Sequence, residues 1–131
     1  MTFQQRLCRK NIAKVVLSTQ DPVSCEGSAA YCAGVTLNNL FTYLIKYGTV
    51  TEECVPYVAG SGMKLACPTK CTATGKTWKK YKVVSYKQSR GVDFIKNAVY
   101  TNGPIEVIFM VYQDFDRYSG GIYKNVRGAT R

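Results

Sequence analysis

The sequence predicts an α+β domain, and three features carry that expectation: two stretches with apolar residues at helical spacing, two β-forming runs, and a long connection rich in Gly, Pro and Cys. A chain of 131 residues with 46% hydrophobic content suits one globular unit with a modest core. The sequence shows no internal repeat or low-complexity linker that would divide it.

Phe3, Leu7 and Cys8 fall on one helical face, so residues 1–11 read as the end of a helix. Residues 15–17 form a short apolar run. Ser18, Thr19, Gln20 and Asp21 then have the spacing of a capping box that opens a helical turn, which Pro22 shortens. Residues 25–35 are rich in Gly, Ser and Ala and read as loop. Thr36 is the expected N-cap of the clearest helix, in which Leu37, Leu40, Phe41, Leu44 and Ile45 recur and which Gly48 ends. Residues 49–75 read as a loop held by cross-links rather than by a core. Residues 77–86 carry Trp78, Tyr81, Val83, Val84 and Tyr86 among lysines and read as a strand. A second amphipathic helix covers 92–101 with Phe94, Ile95, Ala98 and Val99 inward, ended by Asn102 and Gly103. Pro104 opens a β-forming run to Tyr112, and a last short strand covers 121–125.

Eighteen Lys and Arg against eight Asp and Glu give a net charge of +10, which suits an acidic partner. Lys76, Trp78, Lys79, Lys80, Tyr81, Lys82, Tyr86 and Lys87 interleave cations with aromatics, as a nucleic-acid surface does. The same alternation describes a strand with one buried and one solvated face, and this simpler reading argues against nucleic acid. No apolar run approaches the ~20 residues that span a bilayer, so no membrane partner is expected. Residues 1–11 lack the apolar stretch and cleavage site of a secretory signal, whereas six cysteines point to an oxidising compartment. That conflict leads to the expectation that Met1 is not the start of a mature secreted domain.

Four stretches carry a family resemblance. Leu17-Ser18-Thr19-Gln20-Asp21-Pro22-Val23-Ser24-Cys25 resembles a turn written LSPQDLVSC, and Tyr31-Cys32-Ala33-Gly34-Val35 stands where a GCNGG loop would. Thr51-Glu52-Glu53-Cys54-Val55-Pro56-Tyr57 resembles SEECxPY and is followed by Cys67-Pro68-Thr69-Lys70-Cys71. Asn102-Gly103-Pro104-Ile105-Glu106-Val107, with Val111-Tyr112-Gln113-Asp114-Phe115, Tyr118 and Gly121-Ile122-Tyr123, is similar to NGPVEVxFxVYxDFxxYxxGVY. Together these resemble the cathepsin B-like branch of the papain family of cysteine proteases over nearly the whole chain.

The resemblance implies an incomplete papain-like fold, mostly the β-barrel half plus one helix of the helical half. In that family a low-pKa Cys at a helix N-terminus attacks the scissile carbonyl, a His is its base and acid, and an Asn orients the imidazole. No C-G-S-C-W context and no His occur in this chain, so no catalytic residue is assigned. The expectation is a single partial domain over 1–131, truncated before the catalytic Cys segment and just before the catalytic His segment. A thiol without an imidazole partner keeps a pKa of about 8.5 and is a poor nucleophile at neutral pH.

The resemblance further implies disulfides Cys25 to Cys67 and Cys54 to Cys71, leaving Cys8 and Cys32 with partners in the segment around the nucleophile. A zinc site using Cys67, Cys71 and two other cysteines is the alternative, although the spacings are not those of a ribbon or knuckle. No cofactor or metal is otherwise implied. For substrate, the resemblance points to Gly34 and Val35 for peptide backbone and to Pro104, Val107 and Ile108 for the apolar wall of the specificity pocket. Val35 replaces a glycine, and its Cβ would crowd a closely approaching backbone. The short, His-free loop between Cys54 and Cys67 implies endopeptidase rather than dipeptide-removing action.

Two functional readings follow from the resemblance. One is a fragment of a cysteine endopeptidase that acts on peptide or protein substrates in a lysosomal, vacuolar or extracellular setting, with a partner chain as a candidate source of the missing half. The alternative is a non-catalytic pseudoprotease that serves as a binding or structural subunit. On either reading the isolated chain is expected to be marginally stable and to expose apolar surface.

Overall fold

A computed structural model describes residues 2–27 and 34–125. Among these residues the α-helices are α1 (Thr2–Arg9), α2 (Gln20–Cys25), α3 (Leu37–Lys46) and α4 (Val92–Asn102), with 3-10 turns at Ala59–Ser61 and Gln113–Arg117. Arg6 and Arg9 lie in the last turn of α1, where cations complement the helix dipole. Both tie α1 to the end of α4: Arg6 Nε donates to the Pro104 carbonyl at 2.8 Å and Arg9 Nη2 to the Tyr100 carbonyl at 3.3 Å.

The capping box before α2 is half formed. Ser18 Oγ accepts the Asp21 N–H at 3.1 Å, but the Asp21 carboxylate turns into the protein instead of back to the cap. Pro22 does not shorten the turn as expected, because it lies in the first turn of α2, where no intrahelical N–H is lost. The helix therefore runs to Cys25, into a segment whose composition reads as loop. At α3, Thr36 Oγ1 accepts the Asn39 N–H at 3.3 Å, and Tyr43 and Leu44 face inward. Gly48 follows with φ +72°, and a Cβ there would lie 2.5 Å from the Tyr81 carbonyl oxygen. Glycine is thus what allows residue 81 to approach the end of α3.

The core sits where α2, α3 and the segment after α3 meet. Val50, Cys54 and Val55 are fully buried, with Leu65, Cys71 and Trp78 packed against them. Leu17, Tyr43 and Leu44 complete the buried apolar set among the described residues. Disulfides join Cys25 to Cys67 and Cys54 to Cys71, closing sequence separations of 42 and 17 residues. The zinc alternative for Cys67 and Cys71 is thereby removed, since neither sulfur is free to ligate.

The sequence expectation of a barrel side is not met among the described residues. Residues 77–86, 104–112 and 121–125 form no strand there, and the isolated antiparallel bridges pair Leu17 with Thr51 and Thr49 with Tyr81. Aromatic and β-branched residues fit a pleated surface, but a strand exists only where a neighbour supplies the ladder. The same lack of a sheet leaves α4 uncovered: Phe94, Ile95 and Val99, expected inward, are 53%, 38% and 45% exposed. The packed portion is α2, α3 and the segment after α3, so Val50, Cys54 and Val55 give a core to residues 49–75, which read as a loop held by cross-links rather than by a core.

Candidate functional site

Two adjacent polar residues organise the buried region, and both are fully buried. Gln20 Oε1 accepts the N–H groups of Val58 and Ala59 at 2.9 and 3.0 Å, while its Nε2 donates to Ser24 Oγ at 3.0 Å. Asp21 takes the Val50 N–H on Oδ2 at 3.0 Å and the Tyr43 hydroxyl on Oδ1 at 3.3 Å. Lys80 Nζ closes an ion pair with Asp21 Oδ2 at 2.6 Å, while its cation also lies 4.9 Å from the centre of the Trp78 ring. Cys25 Sγ is 3.6 Å from Asp21 Oδ1 but, being oxidised, has no proton to donate. Burial, then the negative charge and hydrogen bond of Asp21, push the Tyr43 phenol well above its ordinary range. Sequence reasoning missed this hub. Its signal was a Gln-Asp pair shortly after the apolar run of residues 15–17.

Beside the hub lies a cavity of about 590 Å³. Phe3 and Gln4 of α1, Pro22 and Val23 of α2, and Leu40 and Leu44 of α3 form its walls, and Gly34 and Val35 reach it from the start of α3. Glu26, Glu52 and Tyr57 add polar atoms, and Glu52 Oε1 is engaged by the Tyr57 N–H at 2.7 Å. Among the described residues the lining carries no thiol. Its chemistry is that of packing or binding an apolar group.

The five residues expected to meet substrate do not converge. Gly34 and Val35 line the cavity, whereas Pro104, Val107 and Ile108 are outside its lining, with Val107 62% and Ile108 80% exposed. Cys8 is an exposed free thiol on α1, and Cys32 lies outside the described residues. Trp78, read as one member of a basic and aromatic surface, is partly buried against the core with the Lys80 cation near its ring. A separate aromatic group surrounds Phe115, with Phe109 and Tyr123 at ring distances of 5.3 and 5.0 Å. Desolvation, then the hydrogen bond to Asp114 Oδ1 at 2.5 Å, pushes the Tyr123 phenol up to about 12.

Comparison with known proteins gives one consistent answer. The sequence model of the papain family cysteine proteases matches residues 1–131. Cathepsin B-like CP2 of Giardia intestinalis is 38% identical over 97% of this chain and 44% of its own length. Cathepsin B-like protease 1 of Arabidopsis thaliana is 32% identical over 97% of the chain and 38% of its own length. Among solved structures, proCathepsin B S9 from Trypanosoma congolense superposes with a TM-score of 0.86 at 25% identity, over 98% of this chain and 46% of that one. The chain thus spans less than half the length of each of these proteins.

Proposed function

The chain belongs to the papain family of cysteine proteases and is cathepsin B-like, and from that premise we propose that it is the central portion of a cysteine endopeptidase whose catalytic groups it does not itself contain. The observation that carries this reading is the absence of His from all 131 residues of a chain matched to the family from end to end. Thiolate attack on a peptide needs an imidazole within hydrogen-bond reach to hold the thiol ionised and to protonate the leaving amine. Neither Cys8, exposed on α1, nor the four disulfide-bonded cysteines has such a partner. Residues 1–131 then act as one partial domain lying between the nucleophile segment and the His segment. The barrel side belongs to the same proposal, with the uncovered α4 and the exposed Val107 to Met110 awaiting strands from elsewhere in the parent or from a partner chain.

In the complete protein, Gly34 and Val35 would meet substrate backbone, and Pro104, Val107 and Ile108 would form an apolar subsite. Peptide or protein substrates and a lysosomal or extracellular setting follow from the same reading. Val35 favours the second reading, a pseudoprotease subunit, because its side chain is 43% exposed where a peptide backbone would have to come close. The native product, captured by an antibody to this chain, separates the two by intact mass and by labelling with a peptidyl epoxide. A mass roughly twice 14.6 kDa, as the 44% coverage implies, with one label per molecule supports the endopeptidase. An unlabelled product of any mass supports the pseudoprotease.

A further inference from the structure

The two disulfides stand in opposite surroundings. Cys54 is fully buried with Val50 and Val55, Cys71 packs against that cluster, and the Cys54 carbonyl accepts the Thr72 and Ala73 N–H groups at 3.0 and 3.3 Å. Cys67, in contrast, is exposed, and residues 65–70 around it make no hydrogen bond. Beyond Leu65, partly buried against the core, that stretch is held through the sulfurs of Cys67 and, at its end, Cys71.

At the other end of the exposed bridge, Cys25 is the last residue of α2 and is partly buried. Its Sγ is 3.6 Å from Oδ1 of the fully buried Asp21. While the bridge is closed that sulfur carries no proton, so the contact gives no hydrogen bond. Once the bridge opens, a Cys25 thiol in the same place can donate to Asp21 Oδ1, which has lone pairs for both it and the Tyr43 hydroxyl at 3.3 Å. The Lys80 ion pair, on Oδ2, is undisturbed.

We propose that the Cys25–Cys67 bridge is a site of thiol exchange, at which a low-molecular-weight thiol becomes attached to Cys67. The incoming thiolate attacks Cys67 Sγ from solvent, the Sγ–Sγ bond to Cys25 breaks, and the electron pair leaves on Cys25 Sγ. A new S–S bond joins the small thiol to Cys67. The proton the small thiol gave up passes through water to Cys25, which donates it in a hydrogen bond to Asp21. One disulfide replaces another, so the step consumes no separate oxidant or reductant. Its direction follows from access and charge: Cys67 is open to solvent, and the Asp21 carboxylate repels an anionic nucleophile from Cys25. The core bridge resists the same attack, because Cys54 would be left as a thiolate among Val50 and Val55. Exchange cuts the tie across 42 residues between α2 and Cys67 and releases residues 65–70, which the Cys54–Cys71 bridge still keeps attached. None of this depends on whether the parent protein cleaves peptides.

The test uses the full chain carrying Cys8→Ser, which removes an exposed free thiol that would react on its own account. The protein is incubated with reduced glutathione, remaining thiols are capped with iodoacetamide, and tryptic peptides are mapped by mass. The sequence separates the sulfurs: Cys67 is alone in peptide 65–70, Cys71 in 71–76 and Cys54 in 47–64, and fragmentation of 15–46 resolves Cys25 from Cys32. Glutathione on Cys67 with a cap on Cys25 is expected in tenfold or greater excess over glutathione on Cys25, Cys54 or Cys71, with 47–64 and 71–76 still linked. In the same background, Cys25→Ser/Cys67→Ser places a hydroxyl where it can donate to Asp21. That variant should keep its circular dichroism spectrum and be cut by trypsin at Lys64 and Lys70 at least tenfold faster. Glutathione on Cys25 instead of Cys67, parallel opening of both bridges, or unchanged cleavage in the second variant would overturn the proposal. So would a folded chain that forms no adduct under conditions where the urea-unfolded chain does.

Discussion

Asp21 is the side chain on which the buried region depends most. A carboxylate with no exposure is tolerable only while its partners hold it, and the cost of orphaning one member of such a pair exceeds the net worth of the pair itself. Lys80→Met, which leaves the fully buried Asp21 carboxylate without its cation, should therefore lower stability by roughly 3 kcal/mol in urea unfolding. Asp21→Asn, which removes the buried charge and leaves a lysine that is 24% exposed and can reach water, should cost less. Tyr43→Phe should cost about 1 kcal/mol by removing the hydroxyl bond to Asp21. Because the Tyr43 pKa is raised in the folded state, the protonated phenol stabilises the fold fully below its unfolded pKa of about 10. That contribution fades as pH rises above 10 towards the folded value, so the phenylalanine variant should show a flatter alkaline limb in a stability–pH profile.

The connections between elements rest on a few local devices, some legible in the sequence and some not. Helix α3 was legible from Thr36 to Gly48 because an N-cap, a helical repeat and a glycine stop all agree, and the structure puts each in that role. Helix α4 was legible as a helix but its buried face was not, since periodicity says which side is apolar without saying whether anything covers it. The β-forming runs failed as strands for the same reason: their side chains suit a sheet, and the described residues supply only isolated bridges. Gln20 and Asp21 read as part of a capping box rather than as a buried hub, because polar residues after an apolar run are ambiguous until the surrounding N–H groups are placed. Gly48→Ala tests the junction of α3 with residue 81. A Cβ at positive φ and 2.5 Å from the Tyr81 carbonyl should cost about 1–3 kcal/mol and weaken amide protection at Thr49 and Tyr81 in hydrogen exchange.

Taken as one body, the chain divides into a side packed from α2, α3 and the segment after α3, clamped by two disulfides, and a side rich in uncovered apolar residues. Cutting the 17-residue separation by Cys71→Ser should cost about 3 kcal/mol in the chain-entropy model and leave Cys54 as a buried thiol within the core. The exposed Phe94, Ile95, Val99, Val107, Ile108 and Met110 form surface that monomeric soluble proteins rarely leave open, so the isolated chain should bind a hydrophobic dye and self-associate on concentration. The relatives compared are more than twice as long as this chain, and on the proposed reading the remainder of the parent protein would cover this side. The decisive observation concerns chemistry. Purified protein of these 131 residues is incubated with a fluorogenic peptide substrate and, separately, with one equivalent of a peptidyl epoxide, followed by intact-mass analysis. No turnover and no covalent adduct are expected, because the polypeptide has no imidazole to activate a thiol. Stoichiometric labelling of a cysteine together with substrate hydrolysis would contradict that account.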